Sequence, residues 1–282
     1  MKFSNQTPLL VSPAWIEKHL EDPLLRIIDC RWILGKPGEG RRHYEEGHIP
    51  EAVHLDVDEQ LSGKAGSGRH PIPRPADFER TMSEIGVGVD TYVIAYDAGN
   101  GMPAPRLWWL LRYFSHEKVS VLDGGWKLWV KEGRRVAAGP SPRSSPVDGR
   151  VWIAGGRPGE GLVGKSYVAA QLNNSSITLI DARSPERYRG EIEPIDKRAG
   201  HIPGAINVPF TQCVDEQGRY RPPSYIKRGA RGEIQETICY CGSGITACTD
   251  IFALKLAGID AKLYEGSWSD WSNDIDLPIE TK

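Results

Sequence analysis

The sequence predicts an α/β protein of two successive domains, each built around a mostly parallel sheet flanked by helices. Three observations carry this. Short β-rich runs alternate with helical patterns along the chain, as strand–helix–strand units do. A set of motifs in the first half recurs in the same order in the second. The length, 282 residues, suffices for two domains of ordinary size.

The elements follow in chain order. Ser12 followed by Pro13 opens a helix over "SPAWIEKHL" (12–20), with a hydroxyl at the cap and proline in the first turn. "LLRIID" (24–29), "TYVIAYD" (91–97) and "VSVLD" (119–123) read as strands. The apolar run "APRLWWLLRYF" (104–114) reads as a helix buried against the sheet rather than a membrane anchor. In the second half the strands are "ITLID" (177–181), "TICYC" (237–241) and "AKLYE" (261–265). "TACTDIFALKLAG" (246–258) supplies the matching helix. Trp126 and Trp129, like Trp268 and Trp271, recur at helical spacing and read as core.

The repeat is legible residue by residue. "IIDCR" (27–31) echoes "LIDAR" (179–183), and "GHIPEAVHLD" (47–56) echoes "GHIPGAINVP" (200–209). "VIAYDAGNG" (93–101) echoes "TICYCGSG" (237–244), and "LDGGWKLW" (122–129) echoes "YEGSWSDW" (264–271). A tandem duplication follows, with domains over 1–136 and 162–282. Residues 137–161, rich in Pro, Gly and Ser, form the expected surface linker. His48 and His201 precede Ile-Pro in both copies, which points to a structural role.

Composition narrows the function. An apolar fraction of 39% and a charged fraction of 26% suit a soluble globular protein. A net charge of −2 gives no basic field, so nucleic acid is not an expected partner. No run of apolar residues is long enough to span a membrane, and the start lacks the apolar core of a secretion signal. Five cysteines in a chain of this length suggest reduced thiols and a cytoplasmic protein rather than a disulfide framework.

The chemistry concentrates in "CYCGSGITACTD" (239–250). The spacing of Cys239, Cys241 and Cys248 matches no usual zinc pattern, and no metal or other cofactor is called for. Neighbouring positions on one strand make Cys239 and Cys241 a poor disulfide, and Cys248 falls on the following helix as a packed thiol. Cys241 falls just past a strand, where sites form in parallel sheets. The small residues Gly242, Ser243, Gly244, Ile245 and Thr246 let the backbone curl around its sulfur. Their amides and the following helix N-terminus are suited to hold a sulfur anion, and the thiolate is the reactive form. A phosphatase of the C-x5-R kind would need Arg where Ala247 stands.

With these motifs together, the chain resembles the tandem-domain sulfurtransferases of the rhodanese family over essentially its whole length. "CGSGITA" (241–247), "DARSPERYRG" (181–190), the two GHIP motifs, "LDGGW" and "YEGSW" carry the resemblance. It implies that only the second domain is catalytic. Asp97 stands in the first copy where Cys241 stands in the second, and an aspartate cannot hold a persulfide. It also implies a double displacement, in which Cys241 takes sulfur from a small anionic donor and passes it to a thiophilic acceptor. That acceptor would be cyanide, a thiol or a thioredoxin-like protein.

The neutral "CGSG" loop is similar to that of the 3-mercaptopyruvate branch, where a Ser–His–Asp relay handles a proton. Ser243, His70 of "GRHPIP" and Asp58 of "HLDVDEQ" match those positions. The first copy spans 49 positions from His48 to Asp97 against 40 from His201 to Cys241. "LSGKAGSGRHPIP" (61–73) lies in that longer interval and reads as an inserted, reaching loop. Arg187 matches the family's substrate-binding arginine. The second arginine of the mercaptopyruvate branch has no clean counterpart, and Lys197 or Arg198 are the candidates. Thiosulfate therefore stays open as the donor, as does a sulfur-relay or regulatory module with little turnover.

Overall fold

The computed structural model describes residues 7–140, 152, 161–221 and 236–282. The chain forms two compact units. One comprises Met1–Gly63, Pro73–Arg157 and Val214–Tyr220; the other comprises Lys64–Ile72, Pro158–Cys213 and Arg221–Lys282. The short segment 64–72, which includes His70, thus packs with the second unit. Most of the expected linker 137–161 lies outside the described residues.

The first unit runs β1 (Leu10–Val11), α1 (Pro13–His19), β2 (Leu25–Asp29), α2 (Glu39–Glu46), β3 (Ala52–His54), α3 (Pro75–Glu84), β4 (Tyr92–Tyr96), α4 (Ala104–Tyr113), β5 (Val119–Leu122) and α5 (Gly125–Lys131). Its five strands are ordered β1-β5-β4-β2-β3, and every pairing is parallel. β2 and β4 are buried along their whole length, which is why they read as continuous apolar runs rather than alternating ones. Ser12 caps α1 by accepting from the Trp15 amide at 3.2 Å, and Pro13 occupies its first turn. α4 buries eight of its ten residues, the Trp108–Trp109 pair included.

The second unit repeats the plan: β6 (Leu162–Val163), α6 (Lys165–Ala170), β7 (Ile177–Asp181), α7 (Pro185–Tyr188), β8 (Ile206–Asn207), a 3-10 turn (Phe210–Cys213), β9 (Glu236–Tyr240), α8 (Ala247–Leu256), β10 (Lys262–Tyr264) and α9 (Ser267–Trp271). The order β6-β10-β9-β7-β8 reproduces the first sheet, again all parallel. Asp29 pairs with Tyr96 in one register and Asp181 with Tyr240 in the other. No helix among the described residues is long and apolar enough to cross a membrane.

The four sequence echoes turn out to be one side-chain knot built twice. In the first unit, buried Arg31 donates to Asp29 at 2.6 Å and to the Gly47 carbonyl at 2.6 Å, with its guanidinium 4.6 Å over the Trp126 ring. In the second, Arg183 donates to Asp181 at 2.6 Å and to the Gly200 carbonyl at 2.7 Å, 4.5 Å over Trp268. The hydroxyls of Tyr96 and Tyr240 accept the amides of Ile49 and Ile202. His48 and His201 stack on Tyr44 and Tyr188, and each donates from Nδ1 to that tyrosine's carbonyl at 2.8 and 2.7 Å. These histidines tie helix ends down in both copies. Each knot joins the sheet's carboxyl edge to its flanking turns, and the Cys241 loop leaves from the second.

Candidate active site

Cys241 follows β9 directly, so its position is set by a strand buried on both faces. The loop from Cys241 to Ile245 is buried and leads into α8, with Cys241 only 2% exposed. The Gly244 amide donates to Cys241 Sγ at 3.2 Å. Gly244 has φ +80°, the left-handed conformation that favours glycine and lets its N–H turn back toward the sulfur. The loop is pinned from the β10–α9 turn: the Ser267 hydroxyl accepts the Cys241 amide at 3.2 Å, and the Trp268 and Ser269 amides donate to the Cys241 and Gly242 carbonyls at 2.9 Å. The "GSWS" motif therefore acts as a clamp on the nucleophile loop.

The neighbouring thiols have packing roles. Cys239 points into the core, where burial, with Asp250 and the other thiols nearby, pushes its thiol well above the usual range. Cys248 donates to the Gly244 carbonyl at 3.3 Å and so braces the loop from α8. Cys213 donates to Asp250 at 3.1 Å, and burial holds the Asp250 carboxyl well above the usual range.

The loop 64–72 brings His70 to the nucleophile loop. His70 Nδ1 lies 2.7 Å from Ser243 Oγ, and both are buried. The Arg69 amide donates to Ser269 Oγ at 3.1 Å and the Ile72 amide to Glu265 at 3.2 Å, which fixes the loop on the same β10–α9 turn. Gly68, at φ +74°, leaves room there for the Gly266 carbonyl, 2.5 Å from where a Cβ would stand. Asp58 belongs to the first unit, where its carboxylate accepts Trp32 Nε1–H at 2.8 Å.

The cations divide differently from expectation. Arg187, on α7, donates to Glu193 at 2.7 and 3.2 Å and to Asp196 at 3.1 Å. Arg198 donates to the backbone carbonyls of Trp271, Ser272, Asp274 and Leu277, so its guanidinium closes the C-terminal end of α9. Lys197 is exposed. The cation that stands beside Arg187 is instead Arg69, which pairs with Asp196. A Cβ on Gly242 would lie 3.0 Å from Arg69 Nη2 and 3.4 Å from Arg187 Nη1, so both guanidiniums border the residue after Cys241. Sequence reasoning passed over Arg69. Its only signal was adjacency to His70 in the inserted loop.

The acid pair between the arginines is asymmetric. Burial pushes Glu193 up, but the Arg187 hydrogen bond and the amides of Asp196 and Ile195 outweigh it and hold the carboxyl below the usual range. For Asp196, burial together with Glu193 wins over Arg69 and Arg187, and its carboxyl is held above the usual range.

The equivalent loop of the first unit is filled from within. The Asp97 carbonyl accepts the Trp126 amide at 2.8 Å, as the Cys241 carbonyl accepts that of Trp268. The Asp97 carboxylate accepts the amides of Gly99 at 2.8 Å and Ala104 at 3.3 Å. Burial pushes its pKa up to about 6 although these amides favour the anion.

The sequence pattern of the Rhodanese-like domain matches residues 12–132 and again 165–274. The chain belongs to the rhodanese family. A Pseudomonas aeruginosa protein is 39% identical over 283 residues, 96% of this chain and 98% of its own, and bears the provisional name 3-mercaptopyruvate sulfurtransferase. A Mycobacterium tuberculosis protein, 37% identical over 92% of this chain and 91% of its own, bears the provisional name thiosulfate sulfurtransferase SseB. Among solved structures, SseA from Escherichia coli, described with the 3-mercaptopyruvate enzymes, superposes with TM-score 0.81 at 34% identity, covering 93% of this chain and 100% of that one. This rhodanese-family chain is a sulfurtransferase.

Proposed function

We propose that Cys241 carries the sulfur and that 3-mercaptopyruvate is the favoured donor. The observation that supports this reading best is the His70–Ser243 hydrogen bond of 2.7 Å, two residues beyond the nucleophile in a loop without cationic side chains. The Cys241 thiolate attacks the donor sulfur. An S–S bond forms, the C–S bond breaks, and its electron pair leaves as the enolate of pyruvate. The enolate carbon needs one proton, and the transferred sulfur has one to lose. Ser243 and His70 are suited to move it, which keeps the leaving group from departing as a bare carbanion. Asp58 is the proposed third member of the relay. The Gly244 amide, already on Sγ, would stabilise the anionic persulfide together with the amides of Ile245 and Thr246. Arg187 would bind the donor's carboxylate. An acceptor thiolate, a thioredoxin-like protein or cyanide would then attack the outer sulfur and release Cys241.

The first copy, with Asp97 in place of the cysteine and its carboxylate on the loop amides, would not turn over. A side-by-side assay with 3-mercaptopyruvate and thiosulfate, cyanide as acceptor and Cys241→Ser as control, tests the reading. Preference for mercaptopyruvate is expected. Preference for thiosulfate would overturn the donor, and persulfide without repeated turnover would favour a relay module.

A further inference from the structure

We propose that Arg69, carried on the inserted loop, is the second anion-binding arginine of the donor site and works with Arg187 as a two-armed clamp over Gly242. This deepens the proposed function and rests on its assignment of Cys241 as the sulfur carrier.

Three observations converge. First, Arg69 Nη2 and Arg187 Nη1 approach Gly242 from the same side, 3.0 and 3.4 Å from a Cβ built there. Neither nitrogen donates a hydrogen bond among the described residues, so both N–H groups are available beside the nucleophile. Second, Arg69 Nε is buried and finds no acceptor among the described residues. A buried unmet donor on a charged group is costly, and an arriving carboxylate would relieve it. Third, Asp196 accepts from both arginines at once, through Oδ1 from Arg69 and Oδ2 from Arg187. That bridge sets the spacing of the two guanidiniums and turns their remaining donors the same way.

Net charge does not make this site. Arg69 and Arg187 face Glu193 and Asp196, two charges against two. The clamp offers directed N–H donors, and planar guanidiniums presenting such donors suit a planar carboxylate better than a spherical charge would. The ligand class is therefore a small carboxylate, held beside the residue that follows Cys241. Gly242 has no Cβ, and one built there would press on the tips of both guanidiniums.

Pyruvate, the carboxylate left after transfer, is the probe. Its Kd is measured by calorimetry on otherwise intact protein and on Arg69→Gln and Arg69→Lys, and each variant's KM and kcat for mercaptopyruvate are measured alongside. The clamp predicts that Arg69→Gln weakens pyruvate and raises KM by about tenfold or more, the worth of one charge-assisted bond at about 1.4 kcal/mol per tenfold. Arg69→Lys should recover part of the binding, and kcat should fall by a smaller factor than KM rises. Equal pyruvate Kd in wild type and Arg69→Gln, or a loss in kcat alone, overturns the clamp. Because pyruvate binding needs no turnover, a wild-type protein that forms no persulfide would sink the sulfur-carrier reading and leave this test standing.

Discussion

His70 Nδ1 lies 2.7 Å from Ser243 Oγ although 173 positions separate the two residues. Only a loop that leaves the first repeat and packs with the second could bring them together. If this pair moves the proton between sulfur and the enolate carbon, Ser243→Ala and His70→Gln should each lower kcat for mercaptopyruvate by about 10²–10⁴-fold. The double variant should cost little more than either alone, since the two act as one unit. Additive losses in steady-state kinetics would separate them and refute the relay.

Gly242→Ala probes the donor site from the other side. The new Cβ meets the tips of two flexible side chains, Arg69 Nη2 at 3.0 Å and Arg187 Nη1 at 3.4 Å, not backbone. Urea unfolding should shift by less than about 1 kcal/mol, while KM for mercaptopyruvate rises severalfold. A large stability loss with unchanged KM would contradict this placement.

Asp97 gives a pH signature. Its folded pKa, pushed up to about 6 from 3.8, means that the native state keeps this proton when the unfolded chain has lost it. The contribution of Asp97 to stability is thus fullest below about pH 4, falls as pH rises from 3.8 through about 6, and is level above. The change is at most about 3 kcal/mol, from about 1.4 kcal/mol for each pKa unit. Asp97→Asn cannot titrate, so its urea stability should gain on wild type between pH 4 and 6. Parallel stability curves across that range would argue against the raised pKa.

The buried Arg183–Asp181 pair holds the second knot together. Arg183→Met leaves Asp181 without its ion partner and removes the bond to the Gly200 carbonyl. Loss of about 3–5 kcal/mol is expected in denaturant unfolding. The matching change Arg31→Met should act alike, because it removes the matching bonds to Asp29 and the Gly47 carbonyl. A cost under 1 kcal/mol at either site would mean the pair adds little beyond packing.

Much of this was legible in the sequence because buried parallel strands write themselves as unbroken apolar runs. "LLRIID", "TYVIAYD" and "ITLID" fall within a residue of β2, β4 and β7. The echoes "DCR", "GHIP" and "GGW" were visible as a repeat. That they form a single Arg–Asp–Trp knot was not, since Arg31 meets Trp126 and Arg183 meets Trp268 across 95 and 85 positions. The short strands β1, β6 and β8, of two residues each, carry too few side chains for any period. At the site, Cys241, Ser243 and His70 came from spacing and resemblance. Arg198 looked suitable by its place after Arg187, yet its guanidinium closes α9. Arg69 lay hidden because its partners Asp196 and Gly242 are far along the chain, and nothing local to "SGRHP" tells a solvated arginine from one turned onto the nucleophile loop.

The central claim is that Cys241 carries the sulfur, and peptide mass spectrometry after treatment with 3-mercaptopyruvate tests it most directly. The account predicts one added sulfur atom on the peptide bearing Cys241, its removal by cyanide, and no addition in Cys241→Ser. Sulfur found instead on Cys30, Cys213, Cys239 or Cys248, or turnover persisting in Cys241→Ser, would contradict it.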